Sequence, residues 1–365
     1  MMMKRLLMMM SLSLAVLLTG CGNGGSSTTQ VTRVITDPGA TGNNTGGSGS
    51  NGTGNDVNFD LASDVFMPLY ASPVWHYDAS STPVTLGSSV MVSGASIRPL
   101  VRGSERTEYF KSSAGSVAFA GMKVRLVDGD APVDVDVVMS AFKDILQNAQ
   151  INVANAQYKL NSPAAITVLG VPNVPATPVN FSITGTAKSL GNKMIDTAQF
   201  GALPAAGINV SIKLGDGSVS WLGFVYLVEA QYPALKPIFD TISTDLWFAP
   251  GVGIVQRTEG ATTYSMTQAE GVEAPLVFHY GKGTALAAIP AQQIQLDGQV
   301  LTDSNWTAQI NYRTSAQNWL DVNFDGTGSW RAAITQDLPA GLHVAVVRLT
   351  QGNVSRDVTV SVLVD

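Results

Sequence analysis

Hydrophobic and polar residues alternate with a period of two along several stretches of the chain. Ile208, Val210, Ile212 and Leu214 alternate with Asn209, Ser211 and Lys213, the pattern of a strand with one buried face. Gly215-Asp216-Gly217 comes next, and residues 219–228 resume as an apolar run, so the spacing predicts a β-hairpin here. Residues 122–127 with Asp128-Gly129-Asp130 predict a second strand and turn. Near the C-terminus Val344, Val346 and Val347 precede Gln351-Gly352-Asn353, after which Val358, Val360, Val362 and Val364 alternate with other residues. Strand signals at intervals of about 8–12 residues suggest a β-sandwich in the last part of the chain. Only residues 139–150 read as helical, with Met139, Phe142, Ile145 and Leu146 on one face and no Gly or Pro. Pro163, Pro172, Pro175 and Pro178 mark a loop or an edge crossing. The pattern is that of a mainly β protein with one short helix.

The first residues obey a different rule. Lys4 and Arg5 precede an apolar run, residues 6–18 (LLMMMSLSLAVLL). At about 13 residues this run is too short for a helix across a bilayer, which takes about 20, and has the length of a leader's hydrophobic region. It ends in Leu18-Thr19-Gly20-Cys21, which resembles the lipobox of bacterial lipoproteins. The resemblance implies cleavage before Cys21, a diacylglyceryl group on the Cys21 thiol and an acyl chain on its amine. Several acyl chains anchor a protein almost permanently, where one gives marginal binding. Gly22 in place of Asp after the cysteine implies the outer membrane. Residues 22–56, built largely from Gly, Ser, Thr and Asn, bury too little apolar surface to offset their ordering entropy and read as a tether. Its flexible reach is roughly 30–35 Å. No later stretch reaches 18 apolar residues.

Composition narrows the function classes. With 45% hydrophobic and 13% charged residues among 365, the chain has ample apolar material for a sizeable core. Its formal charge is −6, and without Lys4 and Arg5 it becomes −8, 19 basic against 27 acidic side chains. Such a chain repels phosphate backbones and carries no basic stripe, so nucleic acid is not an expected partner. A single cysteine excludes an internal disulfide and a cysteine zinc cluster.

Two segments bear further resemblances. Met67-Pro68-Leu69 with Val74-Trp75-His76-Tyr77, and Trp247-Phe248-Ala249-Pro250-Gly251-Val252-Gly253-Ile254-Val255, resemble the two ends of a domain of uncharacterised secreted bacterial lipoproteins. That resemblance implies the open, curved antiparallel sheet of lipoprotein carriers over residues 57–273. Leu276-Val277-Phe278-His279-Tyr280-Gly281, Trp306, Asn318-Trp319-Leu320, Gly326-Thr327-Gly328 and Leu338-Pro339-Ala340-Gly341 resemble the BACON family, immunoglobulin-like modules of bacterial surface proteins. This implies an Ig-like β-sandwich over residues 274–365. The expected organisation is thus a leader (1–20), a lipidated cysteine with its tether (21–56), a curved antiparallel β-rich domain and a sandwich.

Candidate chemistry is sparse. No Gly-x-Ser-x-Gly occurs; the nearest segment, Gly46-Gly47-Ser48-Gly49, lies in the tether. Phosphate-loop motifs are missing. His76, His279 and His343 lie far apart beside strand-like residues and read as locally satisfied. Asp128, Asp130, Asp134 and Asp136 are the best metal candidates, since oxygen ligands at such spacing can hold Ca²⁺, although turn chemistry also explains them. Trp306 and Trp330 are candidate ligand contacts for a glycan, and Trp319 reads as core. Beyond the lipid on Cys21 no cofactor is expected. The expected role is non-catalytic binding or structural organisation at the cell envelope, toward a glycan or protein partner of the sandwich. Two alternatives stay open: a lipid or apolar-ligand carrier built on the curved sheet, and an enzyme with an unfamiliar site.

Overall fold

The computed structural model describes residues 65–69, 72–113, 115–128, 131–169, 179–215, 218–221, 224–227 and 240–365. The leader, the lipobox (Leu18, Thr19, Gly20 and Cys21) and the tether lie outside them. In chain order the first part forms β1 (Val74–Tyr77), β2 (Val84–Leu86), β3 (Val90–Val92), β4 (Ala95–Ile97), β5 (Leu100–Arg102), β6 (Arg106–Ser113), β7 (Ser116–Asp128), β8 (Ala131–Gln147), β9 (Gln157–Lys159), β10 (Ser162–Leu169), β11 (Val179–Thr197), β12 (Gly201–Leu214), β13 (Ser218–Trp221), β14 (Phe224–Leu227), β15 (Ile242–Ala249), β16 (Gly253–Glu259) and β17 (Thr262–Glu270). Thirteen of these make one antiparallel sheet in the order β10-β8-β7-β6-β5-β2-β1-β17-β16-β15-β12-β11-β9. The expected curved sheet does not stay open. On one side Ala164, Ala165 and Ile166 of β10 pair with Met139, Val138 and Val137 of β8; on the other they pair with Phe181, Asn180 and Val179 of β11. This closes the sheet into a twelve-stranded barrel, with β9 beside β11, and so removes the unpaired edges an open sheet exposes.

Bulges on adjacent strands bend the barrel at one corner. Registers shift between Glu108 and Phe110 on β6 and between Phe119 and Gly121 on β7. Gly121, at φ +131°, permits the bend, because a Cβ there would lie 2.0 Å from the Val137 carbonyl oxygen. The β3–β4 hairpin covers the outside of this corner, packing Val90, Val92 and Ile97 against Tyr109, Ala120 and Val138.

Three local expectations change. Residues 139–150 are not an α-helix: β8 continues to Gln147 and ends in a single 3-10 turn, Asn148–Gln150. Between Val138, opposite Gly121, and Lys143, opposite Phe119, four residues of β8 face one of β7. That bulge resets the faces, sending Phe142 outward to the hairpin cluster while Met139 and Ile145 join the main core, which mimics helical spacing. Second, β12 forms no hairpin with β13; β11 and β15 flank β12, and β13 pairs with β14. Third, Pro163 is a strand residue. It sits in β10 beyond the point where the β8 ladder begins at Ala164, so its missing N–H costs no bond on that side.

The remaining strands are β18 (Leu276–Tyr280), β19 (Gln292–Gln293), β20 (Gln295–Leu296), β21 (Gln299–Val300), β22 (Thr307–Tyr312), β23 (Leu320–Phe324), β24 (Trp330–Ile334), β25 (Gly341–Gln351) and β26 (Val354–Val364). A four-stranded sheet (β18-β26-β25-β22) and a three-stranded one (β19-β24-β23) enclose a second core around Trp319. β25 and β26 are buried on both faces. Ala345, Val347 and Leu349 with Val358, Val360, Val362 and Val364 of β26 fill the sandwich, while Leu342, Val344, Val346 and Leu363 belong to the barrel's core cluster. Asn152 fixes the junction, accepting from the Leu342 N–H at 2.8 Å and donating to its carbonyl at 2.9 Å. No helix among the described residues is long and apolar enough to cross a membrane.

Candidate functional site

Alternation within each strand points half of its residues into the barrel, and the inward set is overwhelmingly apolar. Among the described residues the exception is a cluster of five charged side chains. Arg106-Thr107-Glu108 on β6 and Arg257-Thr258-Glu259 on β16 are two copies of one tripeptide. Five steps separate the two strands in the sheet order, so they meet through the interior rather than along the ladder. Arg257 makes a bidentate contact with Glu108, 2.7 and 3.2 Å, and a 2.6 Å contact with Glu259. Arg106 lies 2.9 Å from both Glu108 and Glu259. Arg102 on β5 stands 3.6 Å from Glu259 and lies over the Tyr264 ring. Arg257 and Glu108 are each only 4% exposed.

Burial by itself would raise the Glu108 carboxyl, but Arg257, then Arg106 and the hydrogen bonds from Arg257, outweigh it and hold the group at about 2. Burial would likewise lower Arg257, yet Glu108 and its hydrogen bonds keep the guanidinium firmly charged. Tyr77 beside them is pushed well above its ordinary range by desolvation and donates its hydroxyl to the Ile254 carbonyl at 2.7 Å. A carboxylate held so low is a poor proton shuttle near neutral pH, since efficient acid–base catalysis needs a group titrating close to the working pH. The cluster is suited to holding charge in place.

Beside it lies unfilled space. Arg106, Glu108 and Arg257 line one end of a narrow space of about 360 Å³ including its open mouth, walled by Phe110, Phe119, Ile145 and Leu246 among others. A second space of about 440 Å³, also counted with its mouth, adjoins it; Met122, Ile212 and Ile242 line both. Its walls add Gly121, Val124, Val137, Ile183, Leu214 and one cation, Lys213. The charged floor therefore borders a narrow, largely apolar channel. Alternating charges within strand-like segments, Arg-x-Glu twice in a chain poor in charge, were the sequence signal that could have drawn attention here.

The residues singled out from sequence fall elsewhere. Asp134 pairs with Arg125 at 2.8 Å, and Asp136 accepts from the Tyr109 hydroxyl at 2.7 Å under the β3–β4 hairpin. Asp130 and the side chain of Asp128 lie outside the described residues. Among the described residues no three His, Cys, Asp or Glu side chains gather as a metal-holding group. Trp330, expected as a ligand contact, is 7% exposed, with its indole N–H on the Asp303 carbonyl at 2.9 Å, so it serves the core. Trp306 is half-buried against the same core, and Trp319 is fully buried. His343 is buried and contacts the Pro339 carbonyl, whereas His76 and His279 sit exposed beside Glu270 and Asp365. The two segments that carry the N-terminal resemblance do meet: Trp75 donates its indole N–H to the Val252 carbonyl at 2.8 Å.

No family model matches the chain. No curated protein is similar to it in sequence. Among solved structures, a variant of the endo-fucoidan hydrolase MfFcnA4 from glycoside hydrolase family 107 is similar over 72% of this chain and 42% of its own, at 11% identity and a TM-score of 0.17. The chain thus spans less than half that enzyme's length, and so loose a superposition carries no argument about fold or activity.

Proposed function

We propose that the chain is a lipid-anchored protein of the bacterial outer membrane with a non-catalytic binding role, and that its ligand site is the interior of the barrel, which takes an apolar ligand. The observation that carries the reading is the apolar channel ending on the Arg–Glu floor. The hydrophobic leader, the Leu18-Thr19-Gly20-Cys21 motif and the tether support the anchoring half. The depressed Glu108 supports binding over acid–base catalysis. Native mass spectrometry of the protein prepared without detergent tests the reading: co-purifying lipid mass released on denaturation is the expected result. Absence of lipid together with no uptake of an apolar fluorescent probe overturns it. Labelling with a radioactive fatty acid, lost in Cys21→Ala, tests the anchor separately.

The reading in which the sandwich binds a glycan or protein partner rests on Trp306, the half-exposed tryptophan of that domain. Trp306→Ala with unchanged binding on a glycan array would end it.

A further inference from the structure

We propose that the barrel selects an amphiphile bearing a single carboxylate, such as a fatty acid, with its head on Arg106 and Arg257 and its chain along the channel past Met122, Ile212 and Ile242. The inference rests on the reading of the barrel as an apolar-ligand site and adds the chemistry of the headgroup.

Three observations carry it. First, the floor holds three guanidiniums, Arg102, Arg106 and Arg257, against two carboxylates, Glu108 and Glu259, so it has one positive charge in excess. Tyr77 stays neutral and does not offset it. Arg102 and Arg106 are partly exposed, at 15% of the side chain each, so water offsets part of this excess, and a counter-charge reaching the buried Arg257 side offsets the rest. Second, the Nε of each of these three arginines is buried with no acceptor, although buried donors are normally satisfied. The floor is short of acceptors by the same groups that carry its excess charge. Third, Arg106 and Arg257 themselves line the open space, and the apolar channel leads away from them. A carboxylate matches the planar fork of a guanidinium and supplies one negative charge and several acceptor lone pairs. A dianionic phosphate would overshoot the excess, and an alcohol would leave it uncompensated.

The test uses the full-length protein, extracted to remove bound lipid, with an uncharged apolar fluorophore (N-phenyl-1-naphthylamine) as reporter. Displacement is measured with dodecanoate, dodecanol, dodecyl phosphate and butyrate. The expected result is displacement by dodecanoate at concentrations ten-fold or more below dodecanol and dodecyl phosphate, with none by butyrate. Arg106→Gln is expected to bring the dodecanoate-to-dodecanol ratio close to one; should that variant not fold, the wild-type ratio decides alone. Equal displacement by dodecanoate and dodecanol overturns the headgroup inference and leaves the apolar site standing. Preference for the phosphate overturns it as well. Butyrate displacing as well as dodecanoate would make the floor a bare anion site and also refute it. If the reporter neither binds nor is displaced, the apolar-site reading itself fails.

Discussion

Arg257 and Glu108 join through two hydrogen bonds, 2.7 and 3.2 Å, across the inside of a barrel, although they stand 149 positions apart in the chain. Each is nearly inaccessible to water. Breaking a buried pair by removing one partner strands the other, at a cost of about 3–5 kcal/mol, whereas replacing both by apolar groups of like volume is often close to neutral. Arg257→Met leaves Glu108 only its contact with Arg106 and removes both hydrogen bonds across the barrel, so it is expected to lower stability by about 2–4 kcal/mol in urea unfolding. The double variant Arg257→Met, Glu108→Leu is expected to recover much of that loss. A single variant no less stable than wild type would show the pair is not desolvated.

The same carboxylate sets an acid limit. The Glu108 carboxyl sits at about 2 in the folded protein against an ordinary 4.5. Its folded value is the lower one, so its contribution, about 3 kcal/mol, is complete above pH 4.5 and is lost as pH falls toward 2. Unfolding free energy measured against pH is expected to fall steeply over that window, and Glu108→Gln is expected to flatten the slope there.

Trp75 ties β1 to the turn before β16 through the Val252 carbonyl. Trp75→Phe keeps most of the packing and leaves that buried carbonyl unpaired, an expected cost of about 1–3 kcal/mol. Gly253, at φ +102°, lies under the same indole, with space for a Cβ only 3.3 Å from it. Gly253→Ala is expected to be destabilising as well, with backbone strain added to crowding. Thermal unfolding monitored by tryptophan fluorescence reads both.

The sandwich docks on the barrel through β25 and β26. Asn152 satisfies both backbone groups of Leu342 and accepts a further hydrogen bond from Asn192 at 2.7 Å. Asn152→Ala together with Val344→Asp is expected to split one calorimetric transition into two. Persistence of a single transition at the wild-type temperature would mean the junction contributes little.

His343 is buried with its Nδ1 unpartnered, and desolvation lowers its basicity, partly opposed by its bond to the Pro339 carbonyl. The folded protein thus resists protonation that the unfolded chain accepts below about pH 6.5, so stability declines as pH drops through that value. His343→Gln is expected to remove this part of the pH dependence, read as melting temperature between pH 7.5 and 5.

Much of the local structure was legible in the residues. Period two over residues 208–214 and at the C-terminal valines marks true strands, because alternation is a property of the extended backbone and needs no partner. The helical spacing of residues 139–150 misled for a physical reason: a bulge opposite Ala120 shifts the faces of β8, and no local signal distinguishes that from a 3.6-residue repeat. The charged site was harder still. Arg106-Thr107-Glu108 and Arg257-Thr258-Glu259 each look like an ordinary charged strand segment until the barrel sets them face to face.

The sequence by itself determined the mainly β class, which strands alternate, the shortage of charge and cysteine, and the lipobox-like motif at Cys21. Tertiary structure alone decided which strands pair, since register is chosen by packing among many strands and not within any one. It decided that β10 bridges β8 and β11 and so turns a curved sheet into a closed barrel. It also decided that the polar half of β26, Asp357, Thr359 and Ser361, is buried rather than facing water. A side chain's face is set by its own strand; what that face meets depends on residues more than a hundred positions away.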